Sequence, residues 1–220
     1  KKQQAKKIYN TDVPTPAENA RLREMGIKDK PRENLSAEEH RLKELGIEGN
    51  EALSVSDDKV FHKTITEAKE SNPPETRWCV DVHTLEDYKN DKLFVSKGGS
   101  CVAIEPNGNI ISVCRKQGDN IRGKDLLRKA IENGGDRLDA FGKRLYDFYT
   151  RNGFEPISWT PFNRDYAPEG WKEEYEEQPV IFYKYTGKTV NEPYEKFIKR
   201  VNSSKDYDMA MKIRDEEMKK

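Results

Sequence analysis

The chain is 220 residues long, with 34% hydrophobic and 36% charged residues, against about 45–50% and 25% in average soluble domains. Such a composition allows one core of ordinary size with polar flanks outside it. Forty basic residues balance forty acidic ones, so no global field draws the protein onto nucleic acid or an anionic membrane, and no basic stripe or nucleic-acid motif takes its place.

Residues 1–57 read as a polar helical repeat or linker region. Ala17, Glu18, Arg21, Leu22, Glu24, Gly26 and Ile27 recur 20 residues later as Ala37, Glu38, Arg41, Leu42, Glu44, Gly46 and Ile47. Thr15-Pro16-Ala17-Glu18 and Ser36-Ala37-Glu38-Glu39 are capping boxes at two helix starts. Gly26 and Gly46 supply the left-handed stops. Each unit offers too little apolar area to offset chain entropy alone, so the repeat is either a tether or a protein-binding motif used twice.

Residues 58–187 read as the folded domain, best defined over 92–187. Apolar positions are scattered through 58–91; Pro73-Pro74 breaks this stretch, and residues 78–82 (Trp-Cys-Val-Asp-Val) have strand character. Residues 93–95 and 101–104 are strand-like, and the turn Pro106-Asn107-Gly108-Asn109 leads into a further strand at 110–114. Leu126, Leu127, Ala130 and Ile131 follow at helical spacing, closed by Gly134-Gly135. A strand at 137–141, a helix marked by Leu145, Phe148 and Tyr149, a strand at 154–159 and a last one at 180–185 complete the domain.

Residues 188–220 read as a charged helical extension. Tyr194, Phe197, Ile198 and Val201 form one amphipathic set, and 204–220 read as a solvated helix with Met209 and Ile213 as its few anchors. Apolar runs such as 93–95 and 180–183 fall far below the roughly 20 residues that span a bilayer. No signal peptide opens the chain, and three cysteines without C-x-x-C spacing suit a reducing compartment better than a disulfide framework or zinc site. A cytoplasmic protein without a membrane partner is therefore expected. His40, His62 and His83 have no ligand partners at useful spacing, so no metal is expected.

The element order over 92–187 resembles the C-terminal two thirds of the GCN5-related N-acetyltransferase (GNAT) superfamily. Three stretches carry the resemblance: the strand at 110–114, the loop Gly118-Asp119-Asn120-Ile121-Arg122-Gly123 before a helix, and Phe148-Tyr149-Thr150-Arg151-Asn152-Gly153-Phe154, which matches the Y-x-x-x-G-F element. Details of residues 97–104, 138–141 and 159–171 resemble acetyltransferase-like domains of phage and mobile-element proteins. The resemblance implies an α/β (α+β) fold, with a mixed central sheet covered by helices on both faces and helical extensions at either end. It implies acetyl-CoA as cofactor and direct acetyl transfer to an amine acceptor, small molecule or protein. It also implies a cofactor site at Val113, Cys114, Arg115, Gly118, Asn120, Arg122, Gly123 and Lys124.

The loop has its own physics. A helix start presents unpaired amides and a partial positive charge that suit a diphosphate, and Arg122 and Lys124 add counter-charge. The loop departs from the Q/R-x-x-G-x-G/A pattern: Ile121 stands where the first glycine belongs and Gly118 where Gln or Arg is usual. This departure leaves a second reading, a catalytically silent module that binds a partner.

Tyr149 stands four residues before Gly153, where relatives keep a tyrosine that protonates the departing thiolate; a phenol of pKa about 10 suits a thiol leaving at roughly 8–9. Its alternative is a core aromatic, since Leu145, Phe148 and Tyr149 share one face. Glu105 and Asp139 are the candidate general bases. The aromatic, proline-rich stretch 159–171 reads either as a wall of an acceptor pocket or as a lid packing its own rings on the sheet.

Overall fold

The computed structural model describes residues 53–220, and the repeat read between 15 and 47 lies outside them. After β1 (Leu53–Val55) comes α1 (Asp58–Ser71), opened by the Asp57 carboxylate, which accepts the Val60 amide at 2.8 Å. Phe61, Ile65 and Ala68 lie on one face and are fully buried, a helical spacing that the scattered reading of this stretch passed over. Burying Phe61 and Ile65 contributes about 1.5–3 kcal/mol each.

The strand expected at 78–82 is absent. α2 (Pro74–Arg77) starts at a proline, and the amides of Cys79 and Val80 turn back to the carbonyls of Thr76 and Arg77 at 3.2 and 3.1 Å. With those donors spent, the segment cannot join a ladder. Its apolar residues still go inward: Trp78 is buried, with Nε1 donating to the Glu75 carbonyl. A Thr84–Asp87 capping box then starts α3 (Leu85–Tyr88).

β2 (Lys92–Ser96), β3 (Cys101–Ile104) and β4 (Ile110–Cys114) join β1 in an antiparallel sheet of order β1-β2-β3-β4. Every residue of β3 is buried. On one face, Phe61, Ile65 and Ala68 of α1 meet Leu93, Cys101, Ala103 and Cys114; on the other, α4 (Gly123–Glu132) packs on β3 and β4 with Leu126, Leu127 and Ala130 inward. Cover on both faces explains why β3 is a continuous apolar run rather than an alternation.

β5 (Arg137–Phe141), β6 (Phe154–Thr160) and β7 (Val180–Tyr185) form a second antiparallel sheet of order β5-β7-β6. Between β5 and β6 runs α5 (Gly142–Arg151), and the chain turns into β6 at Gly153, whose φ of 88° suits glycine. There, Tyr146 and Tyr149 of α5 stack near Tyr183 of β7, at ring-centroid distances of 6.5 and 5.5 Å. α6 (Tyr194–Arg200) adds Phe197 against Tyr146 at 5.6 Å. The fold is therefore mixed α and β with helices on both faces, but the expected single mixed sheet is two antiparallel sheets.

The last helix, α7 (Tyr207–Glu217), corrects the expectation of a solvated tail. Met209 and Ile213, the expected anchors, are 46% and 40% exposed, whereas Ala210 and Arg214 are buried. The helix packs on β6 and β7: Ser158 Oγ donates to the Ala210 carbonyl at 2.6 Å, and the Arg214 guanidinium lies 5.6 Å from the Phe182 ring centre. A charged residue supplies much of the inward face, so hydrophobic spacing pointed to the wrong side. Among the described residues no helix is long and apolar enough to cross a membrane.

Candidate functional site

The two sheets meet at β4 and β5. Asn109 and Arg137 form a single parallel bridge, and the Asp136 amide donates to the Gly108 carbonyl at 2.9 Å. Past that point β4 and β5 share no ladder. A cavity of about 590 Å³ lies in the opening, lined by both strands, the start of α4, the inner faces of α5 and α7, and the segment around residues 79–83. Its size suits a small-molecule site, and the β4 edge facing it offers unpaired backbone groups to an extended ligand.

β4 is bulged where it faces this opening. Cys101 pairs with Cys114 and Ala103 with Ile111, so Val102 stands opposite both Ser112 and Val113, a two-against-one arrangement that leaves backbone groups out of the ladder. Ser112 takes a φ of 52°, unusual for a residue with a side chain. Its hydroxyl is held by the Tyr88 hydroxyl at 2.7 Å and donates to the Asp81 carbonyl at 3.3 Å, so α3 and the segment before it hold the bulge in place.

Tyr149 lines the cavity and is 94% buried, being 6% exposed. Burial first, and the charge of Asp139 second, push its phenol well above the ordinary value of 10.0. It therefore stays protonated. Asp139 also lines the cavity and accepts a hydrogen bond from the Tyr207 hydroxyl at 3.0 Å. Its carboxylate touches solvent through the opening but is crowded by protein, and burial lifts it to about 6, with Asp81 and Glu105 adding repulsion. Glu105 closes the same end, where its Oε2 accepts from Asn109 Nδ2 at 2.8 Å.

Of the expected cofactor residues, Val113, Cys114, Arg115 and Gly123 line the cavity. Gly118, Asn120 and Arg122 lie in the loop away from its wall, and Lys124 faces a separate, shallower hollow with Leu127, Arg128 and Tyr185. The loop is braced from within. Arg115 Nε and Nη2 donate to the carbonyls of Ile121 and Asp119 at 2.7 and 2.6 Å. The Asp119 carboxylate accepts from Ser96 Oγ and from the amides of Ser100 and Ile121; these hydrogen bonds outweigh the burial and hold it below its ordinary pKa.

At the helix start, the Arg122 amide donates to Asp125 Oδ2 at 2.8 Å. A Cβ placed on Gly123 would meet the Phe148 ring at 3.0 Å, so the ring packs closely over this glycine and a side chain here would have to displace it. Sequence reasoning passed over Asp119, Asn109, Phe148 and Tyr207. An acid inside a glycine loop signals the first; nothing local signals Tyr207, which reaches the site only through the docking of α7. The aromatic stretch 159–171 packs its rings on one another and on Trp78, and none of its residues lines the cavity: Phe162 lies 4.9 Å from Trp171 and 6.3 Å from Trp78, centre to centre, and Trp78 lies 5.2 Å from Phe141 at the cavity edge.

Comparison of the sequence with protein-family models gives no match, and comparison with curated proteins gives none.

Proposed function

We propose that this chain is an acetyl-CoA-dependent N-acetyltransferase that passes an acetyl group directly to a primary amine. The observation that carries the reading is the parting of β4 from β5 around a cavity faced by a bulged strand, with a helix start beside it. An extended pantetheine arm suits the unpaired edge of β4, and Gly123 lies on the wall where the arm would continue toward the loop. For phosphates to reach that helix start, Phe148 must turn away from Gly123 about its side-chain torsions.

The thioester of acetyl-CoA would supply the activated acyl carbon. The chain's own groups do the rest. Backbone amides freed at the Ser112–Val113 bulge polarise the carbonyl. Asp139, ionised near neutrality, accepts the proton that the amine loses on attack, and Tyr149 donates one to the leaving sulfur; burial keeps the phenol protonated at rest and also makes it a weaker acid than a free tyrosine. No covalent enzyme intermediate is called for: burial pushes the thiols of Cys79 and Cys114 up to about 11 and 12, and that of Cys101 higher still, so they are poor nucleophiles.

The test is thermal unfolding with and without acetyl-CoA. A ligand at 100 times its Kd stabilises the fold by about 2.7 kcal/mol, and release of CoA thiol with a panel of amines then identifies the acceptor. Absence of any shift at millimolar acetyl-CoA removes the enzyme reading. It would leave the second one, a silent acetyltransferase-like interaction module, which two observations favour: Asp125 already takes one amide at the helix start, and Phe148 lies over Gly123.

A further inference from the structure

We propose that Tyr207, the first residue of α7, is a positioning residue for the acetyl transfer: its hydroxyl fixes the Asp139 carboxylate and keeps it ready to take the amine proton. The inference rests on the acetyltransferase reading and extends the reacting site to the C-terminal helix.

The contact is built from both sides. On β5, Asp139 pairs with Phe182 of β7. The Tyr207 ring meets Phe182 edge to face, 4.8 Å between centres, and from there its hydroxyl donates to Asp139 Oδ1 at 3.0 Å. Both Tyr207 and Asp139 line the cavity. Among the described residues Asp139 Oδ2 has no hydrogen-bond donor, so one oxygen is anchored and the other keeps its lone pairs for a proton.

Tyr207 is itself held in place. Asp206 caps α7 by accepting the Met209 amide at 2.9 Å. The turn before it is pinned to β6, where the Ser204 amide donates to the Trp159 carbonyl at 2.8 Å and Trp159 Nε1 donates to the Val201 carbonyl at 2.7 Å. Farther along the helix, buried Arg214 reaches the Leu138 carbonyl at 3.4 Å. A donor fixed by its own surroundings orients its neighbour at little entropic cost.

The charges around Asp139 leave Tyr207 a decisive share. Burial favours the protonated acid, and Asp81 and Glu105 add repulsion; opposing them, the Tyr207 hydrogen bond counts for more than the charge of Arg214. Tyr149 on α5 and Tyr183 on β7 lie close, and burial keeps both phenols neutral. His83, Arg77, Arg115 and Arg144 also line the cavity, but among the described residues Asp139 forms no ion pair.

The test follows the Asp139 carboxyl carbon by 13C NMR from pH 4 to 8 in the unaltered chain and in Tyr207→Phe, with Asp139→Asn giving the assignment. Tyr207→Phe keeps a ring on Phe182, and thermal melts confirm the fold. The titration midpoint is expected to rise by about one unit. The acidic limb of CoA-thiol release should rise with it, so that the variant is about ten-fold slower at pH 5 and less than about two-fold slower at pH 8. Lost packing alone would slow turnover equally at every pH. A stronger donor at the same place, 3-fluorotyrosine for Tyr207, should lower the midpoint instead. A midpoint unmoved by both replacements overturns the proposal, as does a raised midpoint with an unmoved acidic limb. Failure of the underlying reading looks different: the unaltered chain then shows neither an acetyl-CoA-induced thermal shift nor thiol release at any pH, which removes the transferase and the positioning role together.

Discussion

Asp139 and Tyr149 form an unequal pair: one acid is lifted toward neutrality and one phenol is held protonated, by the same crowding. Asp139 titrates near 6 in the fold against an ordinary 3.8. Well below its ordinary 3.8 it is neutral in both states. As pH rises from 4 to 6 the unfolded carboxyl ionises first, so the fold loses stability through that window and carries the penalty above it. Asp139→Asn, which keeps an acceptor for Tyr207, should therefore raise stability by about 1–2 kcal/mol at pH 7.5 and change little at pH 4, as thermal melts at the two pH values would report. Tyr149→Phe should lower CoA-thiol release at least ten-fold and leave the Kd for acetyl-CoA unchanged by calorimetry; unaltered turnover would return Tyr149 to the core. Tyr149, which lines the cavity, could be singled out because its spacing from Gly153 is local. Asn109 and Tyr207 were not, because each becomes part of the cavity only through contacts distant in the chain.

At the scale of elements, the strands of the two sheets were readable wherever an apolar run was bounded by turns, as at β3 and β7. Residues 78–82 misled because the buried Trp78 and half-buried Val80 and Val82 look like a strand, yet their neighbourhood spends its amides in turns. α1 was missed because lysines and threonines between Phe61, Ile65 and Ala68 dilute its apolar face, and α7 was misoriented because Arg214 faces inward. Arg214→Ala should cost about 2–4 kcal/mol in urea unfolding, through lost packing under Phe182 and a lost donor to the Leu138 carbonyl. Phe148 belongs to this scale too, since it links α5 to the start of α4. Phe148→Ala should lower the melting temperature through lost packing but tighten acetyl-CoA binding several-fold, because the ring no longer has to swing aside; weaker binding would mean the ring forms part of the phosphate site instead.

For the whole molecule, the break between the two sheets matters more than either sheet. Among the described residues, four strands on one side and three on the other share main-chain hydrogen bonding only beside the Asn109–Arg137 bridge. Cohesion across the break falls to side-chain layers, chiefly α4 and α5 where Phe148 meets Gly123. Whatever enters the gap and touches both walls therefore acts as a missing eighth strand. It would tie the two sheets together through main-chain contacts and slow their opening.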